Sequence, residues 1–284
     1  MASLASSQAA APATIRYERR KIEWFGWLML LFLAFWILWP IVTVILWAFA
    51  TQWRGGLIPQ EFGLRYWAET FARADVRRAL PQTIYISLTV TALSIAICLP
   101  ASYAFARMDF FGKRVFLLSF LITNAFPRFS LYVAMAIIFL QLNLVGTAAG
   151  VILIQLVNTL LLMIWIPTAA FQGVDRSLEE AALDAGASRF RVFLRITIPL
   201  VFPAIASAVM LTFVGTFYES VAVILIGAPN VVTLPVIMYP LINNTLVNQY
   251  GAILSVVMWV PSLVLLVFAR RFVRGGHLTA GFGV

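Results

Sequence analysis

The sequence predicts an all-α polytopic membrane protein with six transmembrane helices. Hydrophobic residues make up 62% of the 284 residues and charged residues only 11%, whereas soluble globular domains contain about 25% charged residues. The apolar residues form uncharged stretches long enough to cross a bilayer. Cations stand between these stretches rather than in a surface patch, so the net charge of +9 indicates membrane topology and not nucleic-acid binding.

Six stretches have the length of a membrane helix, which needs about 20 mostly apolar residues. The six predicted spans are residues 24–49, 83–106, 115–141, 147–171, 200–226 and 250–269. The first follows basic residues, as a signal peptide would, but its apolar run is about twice the usual signal core. We therefore expect it to stay as an anchor helix.

The spans define a transmembrane domain over residues 24–275 with a terminal segment on each side. Residues 1–23 are basic and begin with an Ala/Ser-rich stretch, which offers little apolar surface to bury, so they are predicted to be disordered. Residues 276–284 form a short tail. Internal repeats are not evident.

The Lys and Arg residues predict that both termini lie in the cytoplasm, because cations of short loops stay on that side. With the N-terminus inside, the cytoplasmic cations comprise four in residues 16–21, three in 107–114, four in 176–195 and three in 270–274. The outside receives five, all within residues 54–78. The other two external loops carry no charge.

The longest predicted cytoplasmic loop, residues 172–200, contains a short helix predicted over residues 177–186. Ser177 and Glu180 have the spacing of a capping box at its start. Gly186 supplies the stop, because glycine tolerates the left-handed conformation common just past a helix end.

One face of this helix is apolar and narrow, and it comprises Leu178, Ala181, Ala182 and Ala185. Its flanks carry Glu179, Glu180 and Asp184. Helices that lie on lipid usually have Lys and Arg there, with bulky apolar residues opposite. The pattern favours docking in a groove of a partner protein, and a connector helix packed on its own subunit is the alternative.

At these residues the chain resembles the membrane permeases of ABC importers. Their signature is Glu-Ala-Ala, three residues, Gly, nine residues, Ile, one residue, Leu-Pro. This chain has Glu180-Ala181-Ala182, Gly186, Ile196 and Ile198-Pro199, with Ile198 in place of Leu. The resemblance extends over about residues 103–281, and residues 103–127 and the C-terminal segment are similar to carbohydrate importers of the maltose-permease type.

Two departures from that group stand out. The group has Trp-Asn-Asp/Glu in its fifth span, whereas this chain has Phe217, Tyr218 and Glu219, and residues 275–277 interrupt the tail.

The resemblance implies a type I ABC importer permease fold in a bacterial inner membrane. It assigns coupling to a separate ATPase to Glu179, Glu180, Ala181, Ala182, Asp184 and Gly186. The implied partners are a second permease subunit, identical or homologous, two ATP-binding subunits and an extracytoplasmic substrate-binding protein.

ATP and Mg²⁺ are expected on the partner ATPase, with no cofactor or catalytic residue in this chain. A P-loop reads G-x-x-x-x-G-K-[ST]. The Gly112-Lys113 pair is followed by Arg114 and preceded by Arg107 where the first glycine belongs.

Two ionisable residues interrupt apolar spans, Arg128 in the third and Glu219 in the fifth. Each costs about 2.5–3.5 kcal/mol at a helix centre on insertion scales, so such residues usually face a bundle interior or a wet cavity. We expect both, with Asn124, Phe217 and Tyr218, to line a solute pathway. The alternatives are that the two charges lie near the external interface or pair with each other, and that the aromatic residues only pack.

The expected solute is a sugar or polyol, and a polyamine, ferric ion or organophosphonate stays open. An ion-coupled secondary transporter is a rival from another class, but it should show repeats and broken helices. An intramembrane enzyme is a second rival. The lone Cys98 and His277 offer it neither a metal site nor a nucleophile–base pair.

Overall fold

The computed structural model describes residues 24–53, 58–244 and 247–273, with side chains described to residue 268. The predictions for residues 1–23 and 276–284, including His277, lie outside this part of the chain.

The described chain is built almost entirely from helices. They are α1 (Trp24–Phe49), α2 (Arg65–Ala72), α3 (Ala74–Arg107), α4 (Lys113–Ala125), α5 (Arg128–Gln141), α6 (Ala148–Gly173), α7 (Arg176–Asp184), α8 (Arg189–Val192), α9 (Ile198–Phe217), α10 (Leu234–Asn243) and α11 (Asn248–Val273). A first π-helical turn covers Phe193–Thr197 and a second covers Val223–Gly227. Five helices of the described chain are long and apolar enough to cross a membrane, and the α4–α5 pair counted as one span gives the predicted six.

The third span is not the single helix predicted over residues 115–141. It breaks between α4 and α5, which meet at an angle of 104°. Phe126 and Pro127 are in extended conformations at the break. Proline removes a backbone donor and disfavours the helical conformation of the residue before it. Phe126 and Pro127 therefore interrupt the helix, and one apolar stretch forms the two helices α4 and α5.

The second and fifth spans also differ from their predicted bounds. The helix of the second span begins at Ala74, before residue 83, because hydropathy detects only its apolar part and not its charged first turns. The fifth span begins at Arg189 and α9 ends at Phe217. Glu219 therefore lies in a break that follows the span, not within a continuous helix to residue 226.

The chain divides into two units, residues 1–43 and 44–284. In the first, residues 24–43 form a helical segment with exposed apolar side chains. In the second, α3, α6 and α9 pack around Cys98, Met163 and Ala208. A further cluster joins the start of α3 to the end of α9 and to α10 and α11, through residues that include Val76, Phe217 and Leu234.

Buried hydroxyl groups join α3 to α6. The Ser94 hydroxyl lies 2.6 Å from the Thr159 hydroxyl, which itself donates to the Leu156 carbonyl at 2.7 Å. Ser94 is therefore the donor between the two helices. Farther along α3, the Ser102 hydroxyl lies 3.0 Å from the Met163 carbonyl.

The described part of the predicted external segment, residues 50–53 and 58–82, contains secondary structure that the sequence did not indicate. Strands β1 (Ala50–Gln52) and β2 (Glu61–Phe62) form an antiparallel ribbon. The α2 helix contacts α11, and at this contact the Tyr250 hydroxyl donates to Glu69 at 3.0 Å. Beside it, the Arg73 guanidinium bonds to the Asp75 carboxylate at 2.8 Å.

Candidate functional site

The N-terminus of α7 is capped by Asp175. Its carboxylate accepts a hydrogen bond from the Ser177 N–H at 2.9 Å. The predicted capping box of Ser177 and Glu180 is wrong, because Ser177 already lies inside the helix. The bond to the Ser177 N–H lowers the pKa of Asp175, so the cap is present at neutral pH and is lost as the pH falls through that pKa.

The α7 helix ends at Asp184 with Ala185 as its C-cap, and the predicted stop, Gly186, follows directly. Gly186 has a φ of +88°, in the region that favours glycine. Its N–H donates to the Leu183 carbonyl at 2.9 Å, and the Ala187 N–H donates to the Ala182 carbonyl at 3.0 Å. These two bonds form a Schellman motif, which fixes the direction in which the chain leaves the helix.

The surface of α7 is open. None of its nine residues, all of which the structure describes, is buried. Leu178 is 51% exposed, and Glu180, Ala181 and Asp184 are also exposed. The described chain leaves most of this apolar face unpacked, which favours docking on a partner over a connector helix, and the coupling role stays a prediction.

Glu179 differs from the other predicted coupling residues because its carboxylate bonds within the chain. Its Oε1 accepts from Arg107 Nη2 at 3.1 Å and from the Thr197 hydroxyl at 2.7 Å. Arg107 Nη2 also donates to the Val174 carbonyl at 3.0 Å. The α7 helix is thus tied to residues at the ends of α3, α6 and the first π turn.

Glu219 is buried at the break after α9, and protein groups satisfy its carboxylate. Oε1 accepts from the backbone N–H groups of Val221 and Ala222 at 2.9 and 3.1 Å. Oε2 accepts from the Tyr132 hydroxyl at 3.4 Å. The side chain caps the helical segment that leads into the second π turn.

Arg128 lies at the opposite extreme of exposure. It is exposed at the start of α5, and among the described residues no ion pair joins it to Glu219. Asn124, two residues before the break at Phe126, is exposed and donates to the Phe120 carbonyl of its own helix at 3.2 Å. The predicted alternative of an Arg128–Glu219 pair is absent from this structure.

The two aromatic candidates have different surroundings. Phe217 is 2% exposed and packs in the cluster with Val76 and Leu234. Tyr218 is partly exposed, and its hydroxyl donates to the Met258 carbonyl at 2.7 Å. Phe217 therefore has a packing role here, and the part of either ring in a solute pathway stays a prediction.

Three residues of these sites were not identified from the sequence as site residues, namely Arg107, Thr197 and Tyr132. Arg107 counted only as a topology cation. It ends an apolar helix on the same predicted side as the 172–200 loop, which allows a contact with an acidic residue there but does not select Glu179. Tyr132 and Thr197 carry no comparable signal, because their partners are distant in sequence.

Comparisons with known proteins identify relatives among membrane permeases of binding-protein-dependent transport systems. A family model described as binding-protein-dependent transport system inner membrane component matches residues 96–275. The maltose/maltodextrin transport system permease protein MalG of Yersinia pestis is 31% identical over 298 residues, which cover 95% of this chain and 96% of that protein. The trehalose transport system permease protein SugB of Mycobacterium tuberculosis is 30% identical over 252 residues, covering 84% of this chain and 90% of that protein.

A solved structure shows the same fold. It is the bacterial alginate ABC transporter in complex with an alginate pentasaccharide-bound periplasmic protein. One of its chains superimposes with a TM-score of 0.64 and 18% identity, covering 90% of this chain and 96% of that one. The resemblance to ABC importer permeases is confirmed. Because the family model covers more than half of its length, the chain belongs to the family of binding-protein-dependent transport system inner membrane components.

Proposed function

We propose that this permease forms half of the translocation pathway of an ATP-driven importer and receives the motion of separate ATPase subunits through α7. The observation that carries the proposal is the open surface of α7. A capped helix with an exposed apolar face and acidic flanks suits a protein groove. The sequence contains no P-loop, so ATP hydrolysis belongs to the partners.

The proposed assembly contains a second permease subunit, two ATP-binding subunits and an extracytoplasmic binding protein. The solved relative, an ABC transporter in complex with a periplasmic protein, supports the binding protein of this assembly. Both termini and α7 are placed on the cytoplasmic side of a bacterial inner membrane, because this orientation puts most of the Lys and Arg residues inside.

The proposed solute is a saccharide or polyol. Curated relatives are named for maltose/maltodextrin and trehalose, and the solved relative is in complex with a periplasmic protein that holds an alginate pentasaccharide. Asn124, Arg128 and Tyr218 are the pathway candidates that have exposed surface in this chain. Glu219 serves as a cap in this state.

Reconstitution tests this function. The complex is purified from native membranes and reconstituted in proteoliposomes, with its binding protein added outside. It should accumulate radiolabelled maltose or trehalose only when the lumen contains ATP. Spermidine and phosphonate serve as comparison solutes. The chain alone should hydrolyse no ATP. ATP hydrolysis or concentrative uptake by the isolated chain would contradict the proposal, and uptake of spermidine in place of sugars would refute the solute class.

A further inference from the structure

One carboxylate at the end of the bundle connects four elements. Glu179 of α7 binds Arg107, the last residue of α3, and Thr197, the last residue of the first π turn, which continues directly into α9. Arg107 also binds the carbonyl of Val174, which follows α6. We call the cluster of Arg107, Glu179 and Thr197 the Glu179 clamp.

The clamp is shielded from water. The side chains of Arg107 and Glu179 are 10% and 18% exposed, and Thr197 is buried. Water and salt screen such a pair much less than an exposed pair. The nearby Lys113–Asp109 pair at 3.5 Å shows the contrast, because the Asp109 side chain is 97% exposed, and exposed pairs of this kind contribute little.

Apolar packing does not replace the clamp. No residue of α7 is buried, and a cavity of about 190 Å³ lies between α7 and the first π turn, with Glu179, Leu183 and Phe193 in its lining. The α7 helix is therefore held against the spans mainly by the hydrogen bonds that the Glu179 side chain accepts from Arg107 and Thr197. These bonds connect α7 to the ends of α3 and α6 and, through the first π turn, to α9, so a displacement of α7 would reach all three spans.

We propose that Glu179 is a positioning residue of the transport cycle. The clamp makes α7 move as one body with the ends of α3, α6 and α9, so that force applied to α7 opens or closes the pathway instead of bending the loop. This inference rests on the proposed function, since it needs an ATPase that drives α7. It assigns Glu179 to the permease side of the coupling and leaves Glu180 and Asp184 to face the partner.

The test compares Glu179→Gln and Thr197→Val with wild type in the complete complex. The first change removes the charge that Arg107 binds, and the second removes one donor while the ion pair stays. Asp109→Asn is the matched control, because it removes an exposed cytoplasmic carboxylate. ATP hydrolysis and solute uptake are measured in the same proteoliposomes, and assembly is measured by size-exclusion chromatography.

Glu179→Gln should lower the solute transported per ATP by roughly fivefold or more, the lower end of typical coupling energies, with assembly and hydrolysis retained. Thr197→Val should change the ratio in the same direction by less, and Asp109→Asn should match wild type. A wild-type ratio in Glu179→Gln, or reduced assembly with an unchanged ratio, would overturn the clamp. Absence of ATP-driven uptake in the wild-type complex would instead refute the proposed function itself.

Discussion

At the scale of single residues, Glu219 shows how a buried carboxyl group can be satisfied by hydrogen bonds, with no ion pair to it among the described residues. Its carboxylate accepts two backbone N–H groups and the Tyr132 hydroxyl. Hydrogen bonds to backbone donors replace those that the side chain loses with water on burial. This arrangement also explains why the chain can leave α9 at Phe217 and restart a helical segment at Val221.

Replacing Glu219 separates the capping role from the charge. Glu219→Ala leaves the N–H groups of Val221 and of the buried Ala222 without their acceptor. It should lower the free energy of unfolding by about 1–3 kcal/mol. Glu219→Gln keeps an acceptor oxygen and should cost clearly less. Unfolding in detergent, followed by circular dichroism, measures both, with Arg128→Gln as a control at an exposed site. Equal losses for the Ala and Gln variants would contradict the cap.

Gly186 tests the end of α7. Its φ of +88° is strained for residues with a Cβ, although no atom lies near the site that a Cβ would occupy. Gly186→Leu should therefore misdirect the chain at a cost of about 1 kcal/mol or more, whereas Gly186→Asn tolerates the left-handed conformation better. Solute uptake should fall strongly in the Gly186→Leu variant and mildly in the Gly186→Asn variant, while both chains insert into the membrane normally. Wild-type uptake by the Leu variant would refute this role.

Local residue chemistry could be predicted only where one residue type decides the geometry. Gly186 is such a case, because few other residues adopt its φ. The cap was misassigned because Asp175 and Ser177 are both good cap residues two positions apart, and the sequence does not choose between them. The clamp was not predicted because Glu179 lies 72 residues from Arg107, and no local pattern encodes that contact.

At the scale of elements, hydropathy predicted where apolar helices lie but not where they bend. Pro100, Pro167 and Pro203 lie within continuous helices, so the presence of Pro127 alone did not indicate a break. The external ribbon and α2 were missed for a different reason. They are too short and too polar to produce a membrane signal, and their contacts with α11 depend on the tertiary fold.

The contact between α3 and α6 can be tested through its hydroxyl pair. Ser94→Ala removes the interhelical donor to Thr159 and should lower the free energy of unfolding by about 0.6 kcal/mol, and by no more than about 1.7 kcal/mol. Ser119→Ala is the matched control, because Ser119 donates only to the Phe116 carbonyl of α4 in this structure. Detergent unfolding compares the two. A larger loss for Ser119→Ala than for Ser94→Ala would contradict the assignment.

At the scale of the whole molecule, the chain presents two kinds of open surface. Apolar side chains are exposed along the spans, as expected for lipid and for a second permease, and α7 exposes a small apolar face with acidic flanks at one end. Composition predicted the first surface directly. The second depended on the motif and on its resemblance to ABC importer permeases, because charge and hydropathy alone leave the occupant of that face open.

Cross-linking from α7 tests the central claim most directly. Cys98 is the single cysteine and is buried, so Cys98→Ala gives a thiol-free background for Ala181→Cys in α7 and Ile58→Cys in the predicted external segment. A thiol-attached photo-cross-linker, activated in native membranes, should join the Ala181→Cys chain to a P-loop ATPase subunit and leave the Ile58→Cys chain unlinked to it. An ATPase adduct from Ile58→Cys, or none from Ala181→Cys, would contradict the account.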